Sequence, residues 1–258
     1  MKKILTVFGT RPEAIKMAPV VKEIEKSSGL KGIVCVSAQH REMLDQVLKI
    51  FNIEPDYDLN IMKDNQDLFD VTINTLAGLK DVLRKTKPDA VLVQGDTTTA
   101  FVAGLAANYL KIPVAHIEAG LRTYNKYSPF PEEKNRHLLS VLAEYHFAPT
   151  KWARSNLIKE NIPADRIWVT GNTIIDALST VLKNQKSEAT QKAFQRYLKQ
   201  RWHLELTANT DNFKLILVTG HRRESFGKEF ESICTAIREI AAKRKDAARL
   251  PIHTPSAA

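Results

Sequence analysis

The sequence has few cysteines and no long hydrophobic run. Only Cys35 and Cys234 occur among the 258 residues, far apart and in apolar segments. This excludes a disulfide-stapled scaffold and a cysteine-rich zinc site, and it is typical of a reducing compartment. No apolar segment approaches the roughly 18 residues that a membrane-spanning helix needs. The apolar run after Met1 stops at Gly9, which is too short for a signal peptide. We therefore expect a cytoplasmic protein that does not enter a membrane.

The sequence also lacks a glycine-rich dinucleotide loop. The segment after the first predicted strand, residues 9–16, contains Gly9 alone, so we expect no nicotinamide or flavin cofactor. The strand ends described below carry no metal cage and no Ser or Cys nucleophile, so we expect no metal. A composition of 43% hydrophobic and 26% charged residues excludes wholesale disorder.

The net charge of +9 does not indicate a nucleic-acid-binding protein. Most of the excess lies in residues 183–203, where six cations stand against Glu188 alone: Lys183, Lys186, Lys192, Arg196, Lys199 and Arg201. Their helical spacing predicts a solvated helix face, and the stretch lacks the interleaved aromatics of a strand-binding groove. We expect no nucleic-acid partner.

Short β-branched runs alternate with longer amphipathic stretches along the chain. The predicted strands are Ile4–Phe8, Gly32–Val36, Ala90–Val93, Val114–Ile117, Ile167–Val169 and Leu215–Val218. The predicted helices cover about 12–26, 40–51, 67–86, 98–110, 132–143, 150–160 and 228–243. Nearly continuous apolar strands are typical of a parallel sheet covered on both faces. The alternation predicts right-handed βαβ units and an α/β fold with a doubly wound, Rossmann-like parallel sheet.

These elements also predict the domain organisation. We expect a Rossmann-like N-terminal domain at 1–170, with about five strands, and a helical linker region at 171–213. The opening strand–helix unit of a second domain follows at 214–245. The tail, 246–258, contains two prolines within five residues, which argues against a strand.

Polar clusters stand at the predicted carboxyl ends of the strands, where open parallel sheets bind ligands. In residues 9–16, Thr10 and Glu13 have the spacing of a capping box. A well-capped helix explains those two residues but not Arg11 and Lys16, because cations are disfavoured at a helix N-terminus unless an anion is present. This cluster favours a phosphate-bearing ligand.

Two further clusters follow the middle strands. In residues 95–99, Asp96 and its threonines could be helix caps or functional groups. In residues 116–123, His116 and Glu118 share one face at a strand end; a lone His there is more often structural, whereas Glu118 opens onto a glycine loop.

The last two clusters lie further along the chain. In residues 128–137, Glu132 and Arg136 are four apart and could simply form an ion pair within a helix. Residues 219–227 place His221, Arg222 and Arg223 together at a strand end, which favours a diphosphate. Together the five clusters supply carboxylates and cations at one sheet edge, an inventory typical of proton transfer beside a phosphorylated leaving group.

These segments together resemble the non-hydrolysing UDP-N-acetylglucosamine 2-epimerases of bacteria. The resemblance runs in order from residue 1 to about residue 243 and rests on Gly9–Glu13, Gln94–Thr99, His116–Arg122, Ser128–Glu133 and Gly220–Phe226. Within the family it is greatest to the enterobacterial type, which supplies UDP-N-acetylmannosamine for surface polysaccharides such as enterobacterial common antigen.

The resemblance implies the two-domain fold of B-type glycosyltransferases, with UDP bound by the second domain. It implies an isomerase that interconverts UDP-GlcNAc and UDP-ManNAc without a cofactor, through elimination of UDP to 2-acetamidoglucal and readdition, and we expect a homodimer for the full-length protein. The implied catalytic residues are Asp96, Glu118, Glu132 and His221. The implied substrate-binding residues are Arg11, Lys16, Arg136, Arg222 and Arg223.

Some members of the family also have an allosteric substrate site. Gln39, His40 and Glu42 lie in the matching segment. Position 65 is Asn, where members from Gram-positive bacteria tend to carry Arg, so we expect little allosteric control.

The chain departs from the family after about residue 243. The family continues with a whole second domain, and the tail of this chain does not resemble its next strand, so we expect a C-terminal truncation and no significant turnover by these 258 residues alone. Two other interpretations stay open: a non-catalytic fragment of such an enzyme, and a glycosyltransferase-like UDP-sugar enzyme, which would need an acceptor and release no free glucal.

Overall fold

The computed structural model of the protein describes residues 1–39, 41–63, 65–184, 187–202 and 228–243. The chain divides into two compact units, Met1–Asn184 and Gln185–Ala258. All the contacts of the candidate site described below lie within the first unit.

Seven parallel strands form one sheet in the first unit. They are β1 (Lys2–Phe8), β2 (Leu30–Val36), β3 (Tyr57–Asp58), β4 (Ala90–Gln94), β5 (Val114–Ile117), β6 (Tyr145–Ala148) and β7 (Ile167–Val169). Their order is β3-β2-β1-β4-β5-β6-β7, and every neighbouring pair is parallel. The predicted α/β fold with a doubly wound parallel sheet is confirmed.

The helices of the first unit connect these strands. They are α1 (Arg11–Lys26), α2 (Arg41–Phe51), α3 (Leu68–Thr86), α4 (Thr98–Tyr109), α5 (Glu132–Leu142), α6 (Lys151–Lys159) and α7 (Ile174–Asn184), with a short 3-10 turn at Ala164–Arg166. The predicted helices of this unit are confirmed to within about two residues. Helix α7 packs against α1 and belongs to the first compact unit.

The order of the strands creates a switch point between β1 and β4. The chain runs outward from β1 through β2 to β3, and then returns to the other side of β1 with β4. Connections leave the switch point in opposite directions, so a crevice opens at the carboxyl ends of β1 and β4, the place where doubly wound sheets bind ligands.

Alternating side chains of the strands bury two apolar clusters, one on each face of the sheet. Leu5 and Val7 of β1 belong to the cluster that includes α3 and α4, whereas Phe8 belongs to the cluster that includes α1 and α2. This two-sided burial explains why the strands are apolar almost throughout.

Two strands were not predicted, so the estimate of about five strands before residue 170 was too low. Strand β3 is only two residues long, and β6 contains His146, which looks polar in sequence but is 0% exposed. Burial lowers the pKa of His146 to about 4, so its ring is neutral at neutral pH and can occupy the core. The strand predicted at Leu215–Val218 lies outside the described residues.

In the second unit, the described residues form α8 (Glu188–Trp202) and α9 (Lys228–Ala242). The cations of α8 at 192, 196, 199 and 201 are exposed, and Lys192 pairs with Glu188 of the same helix at 2.6 Å. The predicted solvated basic face is confirmed for these residues.

Candidate active site

Polar residues from four of the five predicted clusters meet at the switch point. They come from the carboxyl ends of β1, β4 and β5 and from the start of α5. Three side-chain contacts link the clusters: Thr97 with Glu13, Lys16 with Glu118, and Arg136 with Asp96. The fifth cluster, with His221, Arg222 and Arg223, lies outside the described residues.

Glu13 caps α1 and has a structural role. Its Oε2 accepts hydrogen bonds from the N–H groups of Gly9 and Thr10 at 3.1 and 2.8 Å and from the Thr10 hydroxyl at 2.7 Å. Its Oε1 accepts one from the Thr97 hydroxyl at 2.7 Å. Glu13 is 2% exposed, and burial raises its pKa although these hydrogen bonds oppose the rise. The predicted capping box is confirmed.

Glu118 lies in a cage of donors formed by Lys16, Gln94 and Asn172. Lys16 Nζ contacts both carboxylate oxygens, at 2.8 and 2.6 Å. Gln94 Nε2 donates to Oε2 at 2.5 Å, and Asn172 Nδ2 donates to Oε1 at 2.8 Å. A carboxylate offers about four acceptor positions, so this Glu118 cage supplies two donor contacts to each oxygen.

The backbone of Glu118 is held in an unfavourable conformation. Its φ angle is +66°, in the left-handed region that costs a residue other than glycine on the order of 1 kcal/mol. Hydrogen bonds to neighbouring strands pin both sides of it: Gly95 N–H donates to Ile117 O at 2.9 Å, and Ala119 N–H donates to Phe147 O at 3.1 Å. Such strain persists only where the surroundings fix it, and it is most common at functional sites.

Arg136 connects Asp96 to a fully buried carboxylate. Its Nη2 forms an ion pair with Asp96 Oδ2, and its Nη1 lies 3.3 Å from Glu133 Oε2. The Glu133 side chain is 1% exposed and accepts the N–H groups of Thr123 and Tyr124 at 2.8 to 3.1 Å. The alternative in which Arg136 pairs with Glu132 is wrong: Arg136 pairs with Asp96, in the loop that follows β4, and with Glu133 of its own helix.

Asp96 is a partly buried carboxyl group whose pKa is raised by its surroundings. Burial raises its pKa, and the nearby charges of Glu132 and Glu118 raise it further, although Arg136 opposes them. Asp96 does not cap α4, because Thr97 takes that role by accepting the Ala100 N–H at 3.0 Å. Its side chain stays 26% exposed, so a ligand can reach it.

His116 forms a hydrogen bond with the backbone of Gly95, the residue before Asp96. Its Nε2 lies 2.7 Å from the carbonyl oxygen of Gly95, and the ring is 0% exposed. Burial lowers the pKa of His116 to about 3, so the ring is neutral and its Nε2–H donates to Gly95. Gly95 itself has a φ of +72°, a conformation that favours glycine. The structural interpretation of His116 therefore holds.

The remaining predicted residues lie around this centre or outside it. Glu132 is the first residue of α5 and half-buried, and Arg11 is exposed at the start of α1. Of the predicted allosteric residues, Glu42 is exposed and Gln39 lies near Thr99, whose hydroxyl is 3.5 Å from Gln39 Oε1. His40 lies outside the described residues.

Sequence reasoning missed three residues that hold the site together. Gln94 and Asn172 complete the Glu118 cage, and Glu133 orients Arg136. Gln94 had a detectable signal, because a polar residue ends an otherwise apolar strand at the switch point. Asn172 had none, since its segment was interpreted only as a domain boundary.

The fold and the site together define a Rossmann-like α/β domain with carboxylates and cations at its switch point. Residues 22–258 match the family model described as UDP-N-acetylglucosamine 2-epimerase. The chain belongs to this family, as the resemblance implied.

Individual relatives show the same relationship. The chain is 56% identical to the UDP-N-acetylglucosamine 2-epimerase of Salmonella typhimurium over 97% of its own length and 65% of the relative's. It is similar to the crystal structure of the Neisseria meningitidis enzyme bound to UDP-GlcNAc, with 60% identity, a TM-score of 0.73 and coverage of 76% of this chain and 54% of that one. A Listeria monocytogenes structure described as a putative 2-epimerase gives 47% identity, a TM-score of 0.82 and coverage of 95% and 61%. The chain thus spans somewhat less than two thirds of the length of the relatives it matches.

Two kinds of feature are absent from the described residues. No helix in this part of the chain is both long and apolar enough to cross a bilayer. No group of three or more His, Cys, Asp or Glu residues in the same part is arranged to hold a metal ion.

Proposed function

We propose that this chain carries the acid/base centre of a UDP-GlcNAc 2-epimerase, which interconverts UDP-GlcNAc and UDP-ManNAc. The observation that carries the proposal is the pairing of two partly exposed carboxylates with cations at one switch point, Asp96 with Arg136 and Glu118 with Lys16. Family membership supports the substrate, since a relative with 60% identity is described as bound to UDP-GlcNAc.

In the proposed reaction, a carboxylate removes the proton from C2 of the sugar while the bond between C1 and the diphosphate oxygen breaks. The electron pair of the C–H bond forms the C1–C2 double bond of 2-acetamidoglucal, and the electron pair of the C–O bond leaves with UDP. A second acid then delivers a proton to the other face of C2, and the diphosphate oxygen adds back to C1. The C2 hydrogen is not beside a carbonyl group, so stabilisation of the departing diphosphate supplies much of the catalysis.

Inversion at C2 needs proton-transfer groups on both faces of the ring. We assign this role to Asp96, Glu118 and Glu132. The three carboxylates lie close enough for the charges of Glu118 and Glu132 to raise the pKa of Asp96. A raised pKa suits a carboxyl group that holds a proton for part of the cycle.

Diphosphate binding is assigned to cations near the N-terminus of α1, where the helix dipole favours an anion. Arg11 and Lys16 belong to this helix, and Arg136 supports them. His221 is assigned to the reacting diphosphate, and Arg222 and Arg223 to its binding, by family resemblance alone.

Several finer assignments belong to the same proposal. We assign residues 1–170 as the acid/base domain, 171–213 as the helical linker region and 214–245 as the start of the UDP-binding domain. The first helix of that linker region, α7, packs against α1 of the acid/base domain. A homodimer and a place in surface-polysaccharide synthesis of the enterobacterial common antigen type follow from family resemblance. The resemblance also supports a weakly coupled allosteric site at Gln39, His40 and Glu42.

Proton NMR of the protein incubated with UDP-GlcNAc in deuterium oxide tests the proposal. The chain is assayed alone and as a hybrid that carries the C-terminal third of the Salmonella relative, with Asp96→Asn in the hybrid as the matched control. We expect the hybrid to form UDP-ManNAc with deuterium at C2, and the control to form almost none. A folded hybrid that binds UDP-GlcNAc but transfers the sugar to an acceptor, without releasing glucal, would favour the glycosyltransferase-like alternative.

A further inference from the structure

The side-chain amide of Asn172 donates one hydrogen bond and accepts another. Its Nδ2 donates to Glu118 Oε1 at 2.8 Å, and its Oδ1 accepts the N–H of Ile174, the first residue of α7, at 3.1 Å. A carboxylate can only accept and a backbone N–H can only donate. The two partners therefore fix the orientation of the amide, because the flipped amide would lose both bonds.

The contact spans 54 residues of sequence and joins two parts of the fold. Glu118 follows β5, whereas Asn172 lies in the loop between β7 and α7. Lys16 approaches the same carboxylate from α1, and α7 packs against α1. The loop and the helix thus hold the carboxylate from two sides, and neither donor is next to Glu118 in sequence.

We propose that Asn172 is a positioning residue that holds the Glu118 carboxylate in its working orientation at the switch point. The Asx turn that Oδ1 forms with the Ile174 N–H, here called the cap of α7, requires only an acceptor, which Asp and Ser supply as well as Asn. The donor that faces Glu118 is the feature specific to Asn. The inferred effect on the reaction rests on the proposed role of Glu118.

The test separates the cap from the contact with Glu118. Asn172→Asp keeps the cap but places a carboxylate oxygen against Glu118 Oε1, and two adjacent carboxylates repel each other. We expect the melting temperature at neutral pH to fall by about 3 to 6 °C, the shift that a moderate loss of stability gives in a domain of this size. Asp67→Asn is the matched control, because Asp67 caps α3 by accepting the Asp70 N–H at 2.9 Å and lies outside the Glu118 cage.

The double variant Glu118→Gln with Asn172→Asp restores the hydrogen bond between positions 118 and 172, with donor and acceptor exchanged. The amide introduced at position 118 can donate to the carboxylate introduced at position 172. We expect the double variant to recover at least about half of the melting-temperature loss of Asn172→Asp, measured against Glu118→Gln. The proposal would be overturned if the melting-temperature losses of the two single variants simply add in the double variant. It would also be overturned if Asn172→Asp melts at the same temperature as the natural protein.

A spectroscopic measurement covers the case in which Asn172→Asp does not fold. Asn172→Ser keeps a capping oxygen but is too short to reach Glu118. With ¹³C-labelled glutamate carboxyl groups, and the Glu118 resonance assigned by Glu118→Gln, we expect Asn172→Ser to move that resonance and Asp67→Asn to leave it in place. An unmoved resonance contradicts the proposal. None of these measurements uses turnover, so their failure is distinct from failure of the epimerase assignment.

Discussion

The capping box of α1 and the Glu118 cage are two carboxylate sites at the same sheet edge, and they differ in where their donors come from. Glu13 accepts from Gly9, Thr10 and Thr97, and the first two are its near neighbours in sequence. Glu118 accepts from Lys16, Gln94 and Asn172, which lie 24 to 102 residues away. Both carboxylates are well satisfied by hydrogen bonds.

The difference supports a structural role for Glu13 and the proposed chemical role for Glu118. Local donors satisfy a helix end and leave Glu13 with 2% exposure, so no ligand reaches it. Distant donors require several elements to converge, and they leave the Glu118 side chain 11% exposed on a strained backbone. Convergent donors together with strain are typical of a site that the whole fold holds in place.

The largest effect should come from the proposed proton-transfer groups. Asp96→Asn, Glu118→Gln and Glu132→Gln, made in the hybrid of family length, should each lower turnover about a hundredfold or more, as loss of an acid or base typically does. Each change is nearly isosteric, so circular dichroism should show a folded protein. Glu13→Gln is the matched control and should keep most of the activity. Equal losses in all four variants would remove the distinction between the two sites.

Removal of the Glu13 side chain should instead damage folding. Glu13→Ala leaves the N–H groups of Gly9 and Thr10 and the Thr97 hydroxyl without their partner, and buried unpaired groups of this kind cost about 1 to 3 kcal/mol. We expect urea unfolding to show a free energy of unfolding about 2 kcal/mol lower. Glu118→Gln keeps most of its shape and should cost less. A larger loss from Glu118→Gln than from Glu13→Ala would contradict this ranking.

The pH dependence of stability should identify the buried cap. Burial raises the pKa of Glu13 above its ordinary value of 4.5, so folding favours the protonated form. The stabilisation from Glu13 is therefore complete below the unfolded pKa and is lost as pH rises through the folded pKa, by about 1.4 kcal/mol per unit of difference.

Glu13→Gln cannot titrate and should escape that loss. Its melting temperature relative to the natural protein should rise as the pH increases above about 4.5, the ordinary pKa of the carboxyl group. A difference that stays constant over this range would mean that the carboxyl group has the same pKa in the folded and unfolded states.

Most of the fold could be predicted because its signals are local. The apolar runs of β1, β2, β4 and β5 and the capping residues of α1 lie within a few positions of each other. Strand β6 was missed because His146 breaks its apolar pattern, and only the tertiary packing that buries the ring makes this residue compatible with the core.

The site was predictable only in part, because most of its contacts join residues that are distant in sequence. Asp96 and Glu118 could be placed at strand ends, but the partner of Arg136 could not, since i,i+4 spacing favoured Glu132 and the fold brings Asp96 closer. Asn172 could not be found at all, because it lies 54 residues from Glu118 in the sequence. Only the folded sheet brings the loop after β7 next to the end of β5.

The smallest effect should come from substitutions in the basic helix α8. They test whether positive charge alone is enough to form a binding site. Lys16 is fixed by two contacts to one carboxylate and its side chain is 24% exposed. The Lys192 side chain, by contrast, is 66% exposed and pairs with Glu188 of its own helix. Changing Lys192 and Lys199 to Gln should alter the UDP-GlcNAc affinity, measured by calorimetric titration, by less than about 0.5 kcal/mol, the usual range for surface substitutions.

Lys16→Gln, measured by the same titration, should weaken binding well beyond that range, because it removes a cation assigned to the diphosphate. A tenfold loss of affinity in the α8 variant would mean that the basic face, and not only the caged cation, takes part in binding.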